Sequence, residues 1–182
     1  MIHPTALIGK NVIIGNNVSV GAYSVIDNAI IMHNVEIGNG CVIGKEGFNF
    51  YKDETGLLKR KPHKQMVFIG IDVVIGANTT IDRGLRRHTT IGRGTIINAQ
   101  CHIAHDCIIG DNNILPSGVI LGGFVKTGND VKFGMGVIVH PERKIADRVF
   151  VGMGSIVIRD VTECSTIAGN PAKTISKRGH DA

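Results

Sequence analysis

A large aliphatic residue recurs at every sixth position over most of the chain, and small or polar residues fill the positions between. The C-terminal half keeps this spacing from Ile91 to Val157 with Thr127 as its exception, and residues 2–32 and 69–81 follow the same rule. A period of six fits neither an amphipathic helix nor a hairpin strand. It is typical of a solenoid in which each side turns one large side chain inward.

Three such sides predict a triangular coil of about 18 residues, stacked on its neighbours as parallel strands about 4.8 Å apart. The residue four places after each aliphatic is also small or β-branched, which suits a narrow interior. The sequence therefore predicts an all-β chain. Residues 1–159 would form the parallel β-helix, and residues 160–182 a C-terminal turn and tail.

Two breaks interrupt the repeat, a long one at residues 45–67 and a short one at residues 82–90. The long break contains Phe48 and Phe50, followed by a run of basic residues. Loops carried by a rigid scaffold are frequent sites of ligand binding. We therefore expect the first break to contribute substrate contacts, with a structural flap or a contact between subunits as the alternative.

Composition narrows the functional classes. The chain has a formal net charge of +5, four cysteines and no tryptophan. Basic residues cluster in both breaks and in the C-terminal tail, where they could attract phosphate-rich small molecules. Because aromatic stacking platforms are lacking, binding to nucleic acid is not expected. Neither a signal peptide nor a membrane span is apparent, which predicts a cytoplasmic location. Cys101 and Cys107 are expected to be small buried residues rather than metal ligands.

Two histidines flank an inward position, in the stretch from Gln100 to Asp106. His102 precedes Ile103, and His105 follows it near a corner. About 18 residues later, one coil on, lies Gly123. An imidazole beside an exposed backbone N–H supplies the parts that acyl transfer needs, because the imidazole removes a proton and the N–H stabilises the oxyanion. Asp106 is a candidate to orient the imidazole.

The hexads resemble those of the hexapeptide-repeat acyltransferases, and this resemblance implies that the parallel β-helix is left-handed. The stretches 75–84 and 100–105, and the start of the long break, are similar to the UDP-3-O-acylglucosamine N-acyltransferases of lipid A synthesis, part of lipopolysaccharide biosynthesis. That resemblance implies His105 as general base and Gly123 as oxyanion donor. It also makes Asp82, Arg83 and His102 candidates for contacts with the sugar or the nucleotide. Phe48 and Phe50 lie in the similar part of the long break.

The C-terminal turn points to a second group within the same superfamily. Gly169, Asn170, Pro171 and Lys173 form a segment typical of hexapeptide acetyltransferases, in which such a turn lines the coenzyme A groove. Together the features predict an N-acetyltransferase that moves an acetyl group from acetyl-CoA to the amine of a nucleotide-linked amino sugar. The resemblance also implies a homotrimer with its sites in the clefts between subunits, and no metal.

Three alternatives remain open from the sequence. The donor could be an acyl-carrier protein, as in the lipid A enzymes. A γ-type carbonic anhydrase shares the fold, and His105 and His140 are separated by nearly two coils, but its expected third histidine would fall at Ile145. Finally, the chain could be a non-catalytic scaffold, since a fold alone does not establish a function.

Overall fold

A computed structural model describes residues 1–177, which form a left-handed parallel β-helix with three long faces. Short strands, most of them two or three residues long, alternate with tight corners, and the chain passes from one face to the next at each corner. The predicted all-β solenoid is confirmed. The end of the predicted tail, residues 178–182, lies outside the described residues.

The strands fall into four sheets over residues 1–177. Face 1 contains β1 (Leu7–Ile8), β4 (Val25–Ile26), β7 (Val42–Glu46), β12 (Thr80–Arg83), β15 (His102–Ile103), β18 (Ile120–Leu121), β21 (Ile138–Val139) and β24 (Ile156–Val157). Face 2 contains β2 (Val12–Ile14), β5 (Ala29–Ile31), β10 (Val67–Ile69), β13 (Thr89–Ile91), β16 (Ile108–Ile109), β19 (Lys126–Thr127) and β22 (Lys144–Ile145). Face 3 contains β3 (Ser19–Val20), β6 (Glu36–Ile37), β11 (Val74–Ile75), β14 (Ile96–Ile97), β17 (Ile114–Leu115), β20 (Lys132–Phe133), β23 (Phe150–Val151), β25 (Ser165–Gly169) and β26 (Ala172–Lys177). A separate hairpin consists of β8 (Phe50–Lys52) and β9 (Leu58–Arg60).

The aliphatic residues of the hexad register form the core. On face 1, Ile81, Ile103 and Leu121 are aligned in register on adjacent strands and are fully buried. Removing one such side chain from water contributes roughly 2 kcal/mol before the entropic cost of ordering it. Because every coil repeats this contact, the helix is a rigid support for the corners that carry polar side chains.

Thr127, the exception to the hexad rule, is accommodated by a buried polar network. Its hydroxyl accepts hydrogen bonds from Asn113 Nδ2 at 3.0 Å and from the Gly110 N–H at 3.2 Å. Asn113 Oδ1 in turn accepts from the Val131 N–H at 2.6 Å. Each buried polar group therefore has a partner, which removes the penalty of placing threonine at a core position.

Both predicted breaks begin by extending the strands of face 1. Strands β7 and β12 continue pairing past a bulge, with Asp82 opposite Lys45 and Arg83 opposite Glu46. Each of these cross-strand pairs carries opposite charges and forms an ion pair. The polar ends of β7 and β12 thus remain paired where the aliphatic pattern stops.

The C-terminal part continues the coil before it turns back. Val161 forms a parallel bridge with Ile145, and β25 pairs with β23 on face 3. Strand β26 then returns antiparallel to β25, with Gly169 opposite Ala172 across the turn. Among residues 1–177, no helix is long and apolar enough to cross a membrane.

The cysteines predicted to be small core residues occupy such positions. Cys101 and Cys107 are free and buried, as is Cys41. Burial raises the pKa of the Cys107 thiol to about 12, so this side chain is neutral at physiological pH.

Candidate active site

His105 lies at the corner between faces 1 and 2, the same edge from which both breaks emerge. Strand β15 ends at Ile103, and the chain turns before β16 begins at Ile108. Asp106 has a φ of +62° in this turn, a left-handed conformation that aspartate tolerates better than most residues. The turn directs the side chains of His105 and Asp106 toward each other rather than apart.

The two side chains form a buried hydrogen-bonded pair. Nδ1 of His105 lies 2.8 Å from Oδ2 of Asp106. The imidazole is 8% exposed and the carboxylate is fully buried. Because a carboxylate accepts hydrogen bonds, Nδ1 carries the proton and Nε2 keeps a free lone pair. This is the tautomer that a general base requires at Nε2.

The short break at residues 82–90 binds the carboxylate of Asp106. The backbone N–H groups of Leu85, Arg86 and Arg87 donate to it at 2.9, 2.7 and 2.8 Å. Burial alone would raise the pKa of Asp106, but these bonds and the one from His105 hold that pKa at about 2. Asp106 is therefore an anion at neutral pH, fixed on both sides. Sequence inspection assigned this break no such role.

Gly123 lies one coil beyond His105 and faces its imidazole. A Cβ atom at this position would lie 3.0 Å from both Cε1 and Nε2 of His105. The adjacent carbonyls are bonded, since Gly123 O accepts from the Glu142 N–H at 2.8 Å and Gly122 O accepts from the Val125 N–H at 3.3 Å. The Gly123 N–H donates to no acceptor within residues 1–177. Gly123 therefore combines an unpaired backbone N–H with a close approach to the imidazole of His105.

Two aromatic rings enclose the imidazole of His105. The ring centroids of His63 and Phe124 each lie 5.1 Å from that of His105, both in edge-to-face geometry. Phe124 follows Gly123 at the corner, and His63 comes from the long break. The sequence analysis missed His63, because only the folding of the long break over the corner brings it to the site.

His63 is buried without a hydrogen bond to its ring. Neither ring nitrogen has a partner within residues 1–177, and the residue is 2% exposed. Burial lowers the pKa of His63 below its usual value, and the nearby His105 lowers it further. His63 is therefore neutral at pH 7, and its ring presents no competing positive charge to His105.

The predicted sugar contacts gather on the outer side of face 1. Asp82 is buried and forms an ion pair with Lys45. His102 Nδ1 lies 2.7 Å from Thr80 Oγ1, and its Nε2 lies 3.8 Å from Asp82 Oδ2. Burial, together with the charge of Lys45, lowers the pKa of His102 despite the nearby carboxylate. This cluster offers donors and acceptors suited to sugar hydroxyl groups.

The predicted aromatic contacts from the long break lie beside the same cluster. Phe48 lines a cleft of about 550 Å3 together with Lys45, Asp82 and His102. The rings of Phe48 and Phe50 are 5.1 Å apart, and the Arg60 guanidinium lies 5.0 Å from the Phe50 centroid. Phe48 is 85% exposed, so it presents an apolar surface at the mouth of the cleft.

Arg83 is held by Glu46 rather than directed at the cleft. Its Nη2 donates to Glu46 Oε1 at 2.8 Å, and this bond lowers the pKa of Glu46. Its buried Nε has no partner within residues 1–177. Arg83 thus ties the base of the long break to face 1, while Asp82 and His102 face the cleft.

The C-terminal turn lies apart from the imidazole within one chain. Gly169, Asn170, Pro171 and Lys173 lie at the corner between faces 3 and 1. Strand β25 is four strands beyond β14 of the His105 coil, a separation of roughly 19 Å along the axis. The structure therefore does not bring this segment together with His105.

His140 lies on the same edge as His105 but does not join it. It is exposed, and its Nδ1 lies 3.1 Å from the Pro141 carbonyl. Within residues 1–177, no three His, Cys, Asp or Glu side chains are grouped so that they could hold a metal ion. A catalytic zinc site requires three protein ligands, so the described residues do not fit one.

Comparison with known proteins places the chain among acyltransferases. A model of the bacterial transferase hexapeptide family (six repeats) matches residues 88–123. The probable UDP-3-O-acylglucosamine N-acyltransferase 2, mitochondrial, of Arabidopsis thaliana is 38% identical over 159 residues, which cover 87% of this chain and 50% of that protein. The UDP-3-O-acylglucosamine N-acyltransferase of Methylorubrum extorquens (strain PA1) is 37% identical over 163 residues, covering 85% of this chain and 44% of that protein.

Solved structures give the same family. The UDP-N-acetylglucosamine O-acyltransferase of Moraxella catarrhalis RH4 superposes with a TM-score of 0.73 at 30% identity, covering 97% of this chain and 74% of that one. The UDP-N-acetylglucosamine acyltransferase of Francisella novicida superposes with a TM-score of 0.87 at 25% identity, covering 98% and 71%. The chain belongs to the hexapeptide-repeat acyltransferases. It spans about half the length of the curated relatives that it matches.

Proposed function

We propose that this protein transfers an acyl group from a thioester to the amine of a nucleotide-linked amino sugar, with His105 as the general base. The observation that carries the proposal is the buried pair of His105 and Asp106, whose free Nε2 lies close to Gly123, a residue with an unpaired N–H. The relatives named above act, by their names, on UDP-linked glucosamine derivatives. Their similarity to this chain supports a substrate of the same class.

The proposed reaction uses this geometry. The sugar amine attacks the thioester carbonyl, and Nε2 of His105 accepts the proton that the amine loses. The carbonyl oxygen becomes an oxyanion that accepts a hydrogen bond from the Gly123 N–H. Asp106 stabilises the imidazolium through Nδ1. The C–S bond then breaks, and the imidazolium returns its proton to the leaving thiolate. One amide bond forms, and one thiol is released.

The cleft beside His102 is proposed to hold the sugar. Asp82 and His102 would bind its hydroxyl groups, and Phe48 and Phe50 would cover one side of it. Sugar rings combine apolar faces with a rim of hydroxyl groups, so a site with both aromatic and ionised side chains suits them. Arg83 would act through Glu46, by fixing the start of the long break.

For the donor we propose acetyl-CoA, bound by Gly169, Asn170, Pro171 and Lys173. Lys173 lines a cleft at the C-terminal end, and its ammonium could meet a phosphate. The distance of this turn from His105 requires an extended molecule, and coenzyme A has a long pantetheine arm. The alternative donor is an acyl group on a carrier protein, which the likeness to the lipid A acyltransferases favours.

We also infer a homotrimer with its sites between subunits. Ile120 and Ile138 are stacked in register on the outer side of face 1, and each is more than a third exposed. An apolar strip on a flat face is suited to burial against a second copy. Light scattering after size-exclusion chromatography tests this inference. A trimeric mass is expected, and a monomer at micromolar concentration would contradict it.

Thiol release with a panel of donors and acceptors tests the proposed reaction. Acetyl-CoA and a 3-hydroxyacyl carrier protein would each be offered to UDP- and dTDP-linked amino sugars, with the matching N-acetylated sugars as controls that lack a free amine. Release that depends on the free amine is expected. Release with the N-acetylated sugars alone would assign the reaction to a hydroxyl group instead. No release with either donor and any acceptor would contradict an acyl transfer of this class.

A further inference from the structure

Phe124 connects the candidate base to a basic groove that the proposed reaction does not use. Its ring packs edge-to-face on His105, and the guanidinium groups of Arg86 and Arg87 each lie 5.6 Å from its centroid. The groove has a volume of about 480 Å3 and is lined by Arg86, Arg87, Phe124, Lys126, Glu142 and Lys144. The His105 and Phe124 centroids are 5.1 Å apart. The distance from each guanidinium to the His105 centroid is therefore at most the sum of this value and 5.6 Å.

The cations of this groove are close together and lack carboxylate partners. Lys126 and Lys144 are aligned in register on the adjacent strands β19 and β22 of face 2. None of the four cations forms an ion pair with a carboxylate within residues 1–177. Glu142 is the one acidic residue among the lining residues. Like charges at this spacing repel, and a bound anion would offset that repulsion.

The backbone holds the two arginines in place. Their N–H groups donate to the buried carboxylate of Asp106, so the position of each Cα atom is tied to the same group that orients His105. The side chains then lie over the ring of Phe124, an arrangement favourable for guanidinium groups. This preorganised pair of forked donors matches the geometry of phosphate oxygens better than a pair of flexible lysines would.

We propose that the groove binds the diphosphate of the nucleotide-linked acceptor sugar. This inference rests on the proposed function and specifies how that site would recognise its acceptor. In a nucleotide sugar the diphosphate is attached to the anomeric oxygen, so only a few bonds separate it from an amine on the ring. In phosphopantetheine a much longer chain separates the thiol from the phosphate. Arg86 and Arg87 contact the ring of Phe124, which in turn contacts His105, so a phosphate group bound by these arginines would lie near the base. This short separation fits the diphosphate of the sugar.

Direct binding measurements separate the two sources of phosphate. Calorimetry would compare UDP with uridine, and coenzyme A with pantetheine, on the wild-type protein, on Arg86→Gln/Arg87→Gln and on Lys126→Gln/Lys144→Gln. The matched control is Lys132→Gln/Arg148→Gln, which removes two positive charges from exposed positions outside the groove. Glutamine removes the charge and keeps a polar side chain, although a shorter one, and the thermal midpoint of each variant reports whether it is folded.

The expected result is that the wild-type protein binds UDP at least about tenfold more tightly than uridine. Each groove variant should raise the Kd for UDP about tenfold and leave the Kd for uridine unchanged, while the control changes both values by less than about twofold. Loss of coenzyme A binding with UDP binding intact would assign the groove to the donor and overturn the proposal. Equal binding of UDP by all variants, or none by the wild type, would also overturn it. If UDP binds as expected but no acyl transfer is detected with any donor, the proposed function is wrong, and the assignment of the groove to a diphosphate stands.

Discussion

Nδ1 of His105 is hydrogen-bonded to Oδ2 of Asp106 at 2.8 Å although the two residues are adjacent in the chain. Adjacent side chains in an extended strand point to opposite sides. Here the left-handed φ of Asp106 turns its carboxylate back toward the imidazole. Three backbone N–H groups of the short break then hold the carboxylate in that orientation. The corner and the break therefore function as one unit.

Asp106→Asn should slow acyl transfer while the protein stays folded. The amide can donate to Nδ1 and so stabilise the tautomer with its proton on Nε2, which cannot act as a base. We expect kcat to fall about a hundredfold or more, with the KM of both substrates within about threefold. Steady-state kinetics measure this. An unchanged kcat would show that the carboxylate has only a structural role.

The same carboxylate makes stability depend on pH in the acid range. Its pKa is about 2 in the folded chain and about 3.8 when unperturbed. A lowered pKa stabilises the fold above the unperturbed value, and this contribution, about 2 kcal/mol, is lost as the pH falls from about 4 toward 2. Urea unfolding of the wild type at pH 7 and pH 3 should show about half of this loss, because pH 3 lies between the two pKa values, and Asp106→Asn should show less of it. Asp130→Asn, at an exposed position, is the control and should follow the wild type.

His63 should impose a second pH dependence at a higher pH. Its pKa is lowered by burial and by His105, so the unfolded chain binds its proton first as the pH falls below about 6.5. His63→Phe keeps an aromatic ring against His105 and has no group to protonate. As the pH falls from 8 to 5, the stability of His63→Phe relative to that of the wild type should therefore increase. Thermal midpoints across this range measure the difference, and parallel curves for the two proteins would contradict the lowered pKa.

Gly123→Ala should impair catalysis through steric displacement of His105. The added methyl group would lie 3.0 Å from Nε2 and Cε1, closer than ordinary contact, so the imidazole must move. Moving the imidazole of a general base out of its reactive position is expected to reduce kcat about a hundredfold. Activity and the thermal midpoint would be measured together. A fully active, stable variant would show that the imidazole and this glycine are not in contact during the reaction.

Asp82→Asn should weaken binding of the acceptor and spare the donor. The substitution conserves shape but removes the charge that pairs with Lys45 and faces His102. We expect the acceptor KM to rise about tenfold and the donor KM to change less than about twofold. Glu54→Gln, an exposed change on the long break, is the matched control. Equal changes in both KM values would indicate a general disturbance of the site.

The hexad pattern predicted the fold because most coils obey the same rule, so one register of aliphatic residues specifies the strands, the faces and the core. It could not predict the contents of the breaks. His63 reaches His105 only after the long break folds over the corner, and the backbone donors at 85–87 have no side-chain signature. The ion pairs of Lys45 and Glu46 extend strands where the hydrophobic pattern had ended. These features depend on tertiary contacts between segments that each lack a periodic pattern.

The central claim is that His105 removes the proton from the acceptor amine. Its most direct test is single-turnover transfer by the wild type, by His105→Gln and by His140→Gln, which changes an exposed histidine on the same edge. All three proteins should bind the acceptor and remain folded. His105→Gln should lose about a thousandfold or more in rate, and His140→Gln should stay within about threefold of the wild type. Transfer by His105→Gln at a rate close to that of the wild type would contradict the assignment of His105 as the base.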